Sequence, residues 1–194
     1  MCKSIEKSAL RKQMLLKRKE LKEDFIKKSE RKILQLIKEF PFYLDAKTIM
    51  IYMDYRNEAP TNQIINDALQ RNKNIILPVT DDNFRITPYK LVGKESLITS
   101  SLGIIEPNSL ICPVANPKEI DLILIPGVVF DYNGNRIGFG KGCYDSFLPN
   151  LRPDAVKVGL SYEFQLSKNI PSEITDVPMD FILTEERIYK IIHA

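Results

Sequence analysis

The sequence predicts an α/β fold: a single-domain three-layer sandwich with a mostly parallel sheet of about six strands and helices on both faces. Short apolar runs of strand length alternate with amphipathic helical segments, which is the order that builds a parallel sheet. The run at 121–125, Asp-Leu-Ile-Leu-Ile, is apolar on both faces, as a central parallel strand should be. Because the chain has 194 residues, one domain spanning 1–194 is expected.

The first half of the chain contains the clearest patterns. Ile26, Ile33 and Ile37 stand at helical spacing in a segment that Pro41 ends. A helical crossover between two strands makes those strands parallel neighbours in one sheet. The elements predicted in this half are helices at 7–21 and 24–40, a strand at 48–53, a helix at 61–71 and a strand at 74–79.

The second half is predicted to add strands around an irregular middle. Residues 85–91 form a candidate polar-faced strand, whereas 97–117 is expected to be mostly loop, with turn residues at Gly103, Pro107 and Pro113. The remaining predicted strands are 121–125, 155–160 and 181–184.

The composition is typical of a soluble, cytoplasmic globular protein. Apolar residues make up 44% and charged residues 27% of the chain, and no apolar run approaches the roughly 20 residues of a membrane span. The first residues lack a secretory-signal pattern. The net charge is only +3, and no aromatic residues interleave with the basic residues near the start. We therefore expect a solvated basic helix face, a monomer, and neither a nucleic-acid nor a membrane partner.

Cysteine and histidine usage narrows the chemistry. Cys2, Cys112 and Cys143 are far apart and odd in number, and His193 is the one histidine. This pattern predicts neither a disulfide framework nor a structural zinc site. Because His193 stands close to the end of the sequence, a Ser-His or Cys-His catalytic pair is not expected either.

The main chemical signal is a glycine-rich loop at 136–145. After a turn at 131–135, Gly138, Gly140 and Gly142 alternate and lead into a predicted helix at 144–148. Glycines let backbone N–H groups converge on an anion, and the start of a helix adds positive potential. The spacing matches neither of the two common phosphate motifs. A tight loop that needs positive φ is the alternative interpretation.

Two cations favour the phosphate interpretation. Arg136 and Lys141 flank the glycines, so that the loop combines backbone donors with side-chain positive charge. We therefore predict that this loop binds the phosphates of a nucleotide.

The segments 121–131 and 133–145 together resemble the signature of the 5-formyltetrahydrofolate cyclo-ligase family, also called methenyltetrahydrofolate synthetase. The likeness extends along nearly the whole chain and occurs in the right order. Its other parts are an amino-terminal helix with Lys7 and Arg11, the segments 52–58 and 103–107, and the acidic stretch 175–180.

The resemblance implies an ATP- and Mg²⁺-dependent ring closure by a C–N ring-forming ligase. In that reaction 5-formyltetrahydrofolate becomes 5,10-methenyltetrahydrofolate through a phosphorylated formyl group, with release of ADP and phosphate. Such chemistry depends on positioning and charge stabilisation more than on a histidine base. The implied partners are small molecules, namely ATP and a reduced folate.

The resemblance also implies roles for individual residues on the ATP side. Arg136 and Lys141 would be the catalytic phosphate clamp, and Asp145 and Asp176 would bind magnesium, which needs only one or two protein carboxylates beside phosphates. The implied ATP contacts are Lys7, Arg11, Arg136, Ile137, Gly138, Phe139, Gly140, Lys141, Gly142, Cys143 and Tyr144.

Structural alternatives remain for several of these. Lys7 and Arg11, four residues apart on one helical face, can also be solvated. Asp145 can simply favour the positive end of its helix, and Asp176 can be a turn residue before Pro178.

On the folate side, the resemblance implies contacts from Met53, Glu58, Phe139 and Cys143. Glu58 would accept hydrogen bonds from pterin N–H groups, although a loop glutamate can also be merely solvated. Cys143 departs from the aromatic or bulky residue usual in the family, and Ser146 replaces a commonly basic residue. A nucleophilic role for Cys143 at a helix start has no histidine to support it.

Two other function classes stay open on the sequence. One is a non-catalytic module that senses a nucleotide or sugar phosphate on the same scaffold, since fold alone does not fix function. The other is a basic RNA-associated protein. The paired acids Asp145 and Asp176 favour the enzyme.

Overall fold

A computed structural model describes residues 3–100 and 103–192 of the chain. The helices of this part are α1 (Lys3–Lys19), α2 (Glu23–Lys38), α3 (Pro41–Asp45), α4 (Asn62–Gln70) and α5 (Cys143–Phe147). The strands are β1 (Thr48–Met50), β2 (Asn74–Thr80), β3 (Ile86–Lys90), β4 (Leu97–Thr99), β5 (Ile105–Pro107), β6 (Leu122–Pro126), β7 (Val129–Asp131), β8 (Arg136–Ile137), β9 (Val156–Leu160), β10 (Leu166–Ser167), β11 (Phe181–Leu183) and β12 (Ile188–Lys190).

The main sheet has seven strands in the order β12-β11-β9-β6-β1-β2-β3. The strands from β11 to β2 run parallel to one another. The two edge strands, β3 and β12, pair antiparallel to their neighbours. The predicted mostly parallel sheet, with β1 and β2 as parallel neighbours, is therefore confirmed.

Both faces of this sheet are covered, which confirms the three-layer prediction. Successive side chains of β6 point to opposite faces, so Leu124 packs with the residues of α2, α3 and α4, whereas Ile123 packs with Phe147 of α5. A strand buried on both sides needs an apolar run, and the whole of 122–125 is fully buried. The apolar composition of this run alone was therefore enough to predict the central strand β6.

The structure differs from the predicted elements in several places, of which three affect the layout of the chain. Pro41 does not merely follow α2, which ends at Lys38, but starts α3 as its first residue, a position where its missing N–H costs nothing. The described part of 97–117 is mostly irregular, as predicted, but it also contains the antiparallel pair β4 and β5, which was not predicted. The sheet has a seventh strand, β12, whose three residues are too few to show a strand pattern.

A smaller sheet joins α1 to the main sheet. It has the order β10-β7-β8, and Met14 of α1 packs on Val128, Val129 and Ile137. This packing holds α1 near the loop that follows β8. None of the helices that the structure describes has the length and apolar composition needed to span a bilayer.

Candidate active site

The predicted turn at 131–135 is present and sets the start of the glycine-rich loop. The buried carboxylate of Asp131 accepts hydrogen bonds from the backbone N–H groups of Asn133 and Asn135, at 3.0 and 2.9 Å, and from that of Ile170, at 3.0 Å. These bonds fix the hairpin between β7 and β8. Arg136, the first residue of β8, therefore enters the loop from a rigid position.

The glycines of the loop serve both interpretations given above. Gly140 and Gly142 have positive φ values of 89° and 68°, which side chains rarely adopt. Close approach matters as well, since a Cβ on Gly140 would lie 3.1 Å from the guanidinium of Arg11. Arg11 in turn donates from Nε to the carbonyl of Gly138 at 2.8 Å. The loop thus brings backbone and cations together at the start of α5, which begins at Cys143, one residue earlier than predicted.

On one side of the loop lies a cavity of about 890 Å³, here called the ionic cavity. Its walls come from α1, the glycine-rich loop, α5 and the segment 173–178. The predicted residues that line it are Lys7, Arg11, Arg136, Ile137, Gly138, Gly140, Gly142, Asp145 and Asp176.

Cations and carboxylates of the ionic cavity are paired with one another. Lys7 Nζ lies 2.7 Å from Asp176 Oδ2 and 3.4 Å from Glu173 Oε1. Arg136 Nη2 lies 3.0 Å from Asp145 Oδ2. Burial alone would lower the pKa of Lys7, but the hydrogen bond and charge of Asp176 hold it above its ordinary value. Two of the four cations predicted for phosphates, Lys7 and Arg136, therefore each face a carboxylate predicted for magnesium.

Arg136 is the most enclosed cation of this cavity. Its side chain is 6% exposed, and the ring of Tyr144 lies 5.5 Å from its guanidinium carbon. Among the residues that the structure describes, Arg136 Nε finds no hydrogen-bond partner. A buried donor of this kind suits an anion, because leaving it unpaired costs free energy.

The carboxylates fit magnesium only together with other ligands. Across 3–100 and 103–192, no cluster of three or more His, Cys, Asp or Glu residues could hold a metal ion. Asp145 accepts a long hydrogen bond, 3.4 Å, from the N–H of Val177, so it adjoins the segment that carries Asp176. Two neighbouring carboxylates fit a magnesium ion whose remaining ligands are phosphate oxygens and water.

On the other side of the loop lies a cavity of about 550 Å³, here called the aromatic cavity. It opens beyond the carboxyl ends of β1, β2 and β6, where open α/β sheets place ligands. The predicted folate contacts Met53, Glu58 and Phe139 line it, together with Tyr52 and Phe84. A cavity of about 170 Å³, with walls from Arg136, Phe139, Cys143 and Tyr144, adjoins the loop between these two.

Glu58 is not a solvated loop residue, since it is 8% exposed. Burial raises its pKa to about 7, against the opposing effect of Arg18. Arg18 Nη2 lies 3.7 Å from Glu58 Oε1. The backbone N–H of Tyr55 donates to the other carboxylate oxygen at 3.2 Å. Near neutral pH this carboxylate therefore stands close to its titration point.

Arg18 is a buried residue that no sequence pattern singled out. It is 1% exposed and stands on the face of α1 that also presents Arg11 and Met14, at spacings of three and four residues. A basic residue in register with buried Met14 was the available signal. It was hidden because basic residues on a helix usually belong to the solvated face.

Two predicted contact residues, Lys141 and Cys143, line neither the ionic nor the aromatic cavity. Lys141 is exposed, and its Nζ lies 4.3 Å from the centre of the ring of Phe84, which lines the aromatic cavity. Burial raises the pKa of the Cys143 thiol, so the start of α5 does not activate it as a nucleophile. Cys112 is a free thiol, whereas Cys2 and His193 lie outside the described residues.

The chain is similar to known proteins along most of its length. The model of the 5-formyltetrahydrofolate cyclo-ligase family matches residues 3–185. A 5-formyltetrahydrofolate cyclo-ligase of Haemophilus influenzae is 33% identical over 141 residues, which cover 71% of this chain and 75% of that protein. A cyclo-ligase of Mycoplasma pneumoniae is 30% identical over 186 residues, covering 94% and 100%.

Solved structures agree with this likeness. The structure of Aquifex aeolicus 5,10-methenyltetrahydrofolate synthetase superposes with a TM-score of 0.85 at 32% identity, covering 97% of this chain and 94% of that one. A synthetase from Mycoplasma pneumoniae superposes with a TM-score of 0.76 at 27% identity. The prediction of a cyclo-ligase enzyme is confirmed, and the chain belongs to the 5-formyltetrahydrofolate cyclo-ligase family.

Proposed function

We propose that this chain converts 5-formyltetrahydrofolate to 5,10-methenyltetrahydrofolate. The reaction would consume ATP, release ADP and phosphate, and require Mg²⁺ as a cofactor. The observation that carries the proposal is the position of the glycine-rich loop between two unlike cavities. The ionic cavity offers cations, carboxylates and backbone donors, whereas the aromatic cavity offers rings and one buried carboxylate. A nucleotide on one side would thus face a pterin on the other.

In the ionic cavity, Arg136 and Arg11 are proposed to hold the phosphates over the loop glycines, with Lys7 beside them. The unpaired Nε of buried Arg136 supports this assignment. Asp145 and Asp176 would hold the magnesium ion, which would neutralise the charge of the phosphates. Lys141 would join the clamp by leaving the Phe84 ring.

In the aromatic cavity, Glu58 is proposed to accept hydrogen bonds from pterin N–H groups. Its burial supports this role, because a carboxylate withdrawn from water gains more from each donor. Phe139 belongs to both the loop and this cavity and would contact the folate ring. Met53 would contact the same ring, and Cys143, from the adjoining small cavity, would offer little stacking area.

The proposed chemistry needs ATP because a formamide is a poor electrophile with a poor leaving group. The formyl oxygen attacks the γ-phosphorus and ADP departs. The neighbouring folate nitrogen then attacks the activated formyl carbon, loses its proton, and the carbon–oxygen bond breaks to release phosphate. Arg136 would stabilise the charge on the transferring group, and the loop would exclude water from it.

The reaction itself is the first test. Purified protein with 5-formyltetrahydrofolate, ATP and Mg²⁺ is expected to develop the near-ultraviolet absorbance of the methenyl product. Omission of ATP or chelation of Mg²⁺ should abolish the signal. Absence of product in the complete mixture would overturn the proposed function. No observation favours the sensing-module alternative, since the relatives reported above are named as enzymes.

A matched pair of variants tests the metal assignment. Asp176 and Glu173 both contact Lys7, but only Asp176 is proposed to bind magnesium. Asp176→Asn is expected to raise the Mg²⁺ concentration for half-maximal activity by about tenfold or more. Glu173→Gln is expected to leave it within about twofold, because the side chain of Glu173 is 53% exposed. Equal shifts in both variants would remove Asp176 from the metal site.

A further inference from the structure

Arg18 is a cation buried away from the ionic cavity, at the far end of α1 from Lys7. Its Nη2 donates to the backbone carbonyls of Tyr55 and Arg56, at 3.3 and 2.9 Å. Its Nε and Nη1 have no hydrogen-bond partner among the residues that the structure describes. Burying a guanidinium with two donor groups unpaired is costly. A structural role alone is therefore a poor explanation of this residue.

The surroundings of Arg18 join three parts of the proposed folate site. Its guanidinium lies 3.7 Å from the carboxylate of Glu58 and 5.8 Å from the centre of the Phe139 ring, which belongs to the glycine-rich loop. It also holds the turn that precedes Glu58. In that turn Arg56 and Asn57 have positive φ values of 49° and 57°, a conformation that needs support from its surroundings.

The main chain of α1 supplies part of that support. Asn57 Nδ2 donates to the carbonyl of Arg18 at 2.9 Å. The side chain and the backbone carbonyl of Arg18 thus both form hydrogen bonds with the same turn. Glu58 leaves this turn toward the aromatic cavity, so a displacement of Arg18 would move the carboxylate with it.

We infer that Arg18 is a positioning residue that keeps Glu58 aimed and ionised for the pterin. The inference rests on the proposed function, because it assumes that Glu58 accepts hydrogen bonds from a folate. Since α1 also carries Lys7 and Arg11, one helix would orient groups on both sides of the glycine-rich loop.

Other charged groups near Glu58 make the cation necessary. Asp54, on the same loop, opposes ionisation of Glu58, whereas Arg18 favours it. The phenols of Tyr52, Tyr144 and Tyr162 also face Glu58, and burial raises the pKa of each, so they stay neutral. Without Arg18, burial and Asp54 would both favour the protonated carboxyl, which loses acceptor capacity.

The test is the pH dependence of folate binding in the absence of ATP, so that no turnover occurs. The dissociation constant of 5-formyltetrahydrofolate would be measured by calorimetry from pH 6 to pH 9. In Arg18→Met the acid limb of affinity is expected to move up by about one pH unit or more, since an opposite charge at this distance shifts a pKa by that much. Affinity near pH 7 would fall about fivefold or more and recover at alkaline pH.

Three companion variants make the outcome specific. Arg18→Lys keeps the cation and is expected to restore the wild-type pH profile, and it also serves if Arg18→Met does not fold. Lys17→Met removes a neighbouring exposed charge of α1 and should change nothing. In a Glu58→Gln background, Arg18→Met should leave affinity within about twofold, because the coupled partner is gone.

Two results would overturn the inference. One is a wild-type pH profile in Arg18→Met, and the other is an equal loss of affinity at every pH that persists in the Glu58→Gln background. Failure of the wild-type protein to bind 5-formyltetrahydrofolate at any pH would instead overturn the proposed function, and the inference with it.

Discussion

The ionic cavity and the aromatic cavity hold their charges differently. In the ionic cavity, Lys7 pairs with Asp176 and Arg136 with Asp145, at 2.7 and 3.0 Å. In the aromatic cavity, Glu58 is buried against a more distant Arg18, at 3.7 Å. The first arrangement is a set of short ion pairs on the wall of a large opening. The second is one carboxylate withdrawn from water, whose ionisation is opposed by burial and Asp54 and favoured by Arg18 and the Tyr55 N–H.

The difference fits what each cavity is proposed to do. Phosphates and magnesium bring charges of both signs, so ligand groups can replace the protein partners of each ion pair without leaving a charge unpaired. A pterin is uncharged and offers N–H donors, which an ionised carboxylate accepts better than a protonated one. Exchangeable pairs suit the first ligand, and a held carboxylate suits the second.

The largest effect is expected in the ionic cavity, from the substitution Arg136→Met. Removing one donor from a transition-state charge costs about 100-fold or more, so kcat/KM for ATP should fall by that amount. Arg152→Met is the control. Arg152 also pairs with an aspartate, at 2.5 Å from Asp121, but this ion pair lies next to the start of β6 and away from both cavities. Steady-state kinetics with saturating folate would check both, and equal losses would contradict the assignment of Arg136.

A smaller effect is expected on stability at Glu58. Because burial raises the pKa of Glu58 to about 7 from an ordinary 4.5, the folded chain keeps a proton that the unfolded chain releases between these values. The contribution of protonated Glu58 to the free energy of unfolding is fully present below pH 4.5 and is lost as the pH rises through 7. Relative to Glu58→Gln, the wild type should therefore lose about 2 kcal/mol of unfolding free energy between pH 5 and pH 7.5.

Urea denaturation of both proteins at the two pH values would measure this difference. Comparing wild type with Glu58→Gln removes the contribution of every other titrating group. The variant lacks the pairing between Arg18 and Glu58 at both pH values. This loss therefore cancels when the two measurements on the variant are compared. Parallel pH dependence of the two proteins would show that Glu58 is not held as described.

The smallest effect is expected at the border between the cavities. Lys141 lies on the Phe84 ring, and under the proposed function it must leave that ring to reach phosphate. Phe84→Leu removes this competing contact, so KM for ATP should fall about two- to fivefold. Lys141→Met should raise KM for ATP, and in that background Phe84→Leu should have no further effect. An unchanged KM in Lys141→Met would exclude Lys141 from the phosphate clamp.

The sequence predicted the centre of the fold better than its margins. The run at 122–125 is buried on both faces, so its composition alone indicates a central strand. The edge strand β12 and the pair β4 and β5 have three residues each. Such short segments form because a neighbour offers hydrogen bonds, and that information lies elsewhere in the chain.

The sequence also predicted the loop of the candidate site better than its supports. The alternating glycines near Arg136 and Lys141 are a local pattern. The structure places Arg136 in the wall of the ionic cavity, paired with Asp145. Arg18 was missed because its burial depends on the distant turn before Glu58. The position of Lys141 depends on Phe84, whose positive φ of 63° belongs to a turn that single-residue patterns do not indicate.

The contact between Lys7 and Asp176 joins residues 169 positions apart. A ribosome synthesises Lys7 first and adds Asp176 only after almost all of the described residues have been made. The ionic cavity therefore cannot close on a nascent chain, whatever secondary structure has already formed. Under the proposed function, any nucleotide affinity that depends on this wall would appear only after the segment 173–178 has been made.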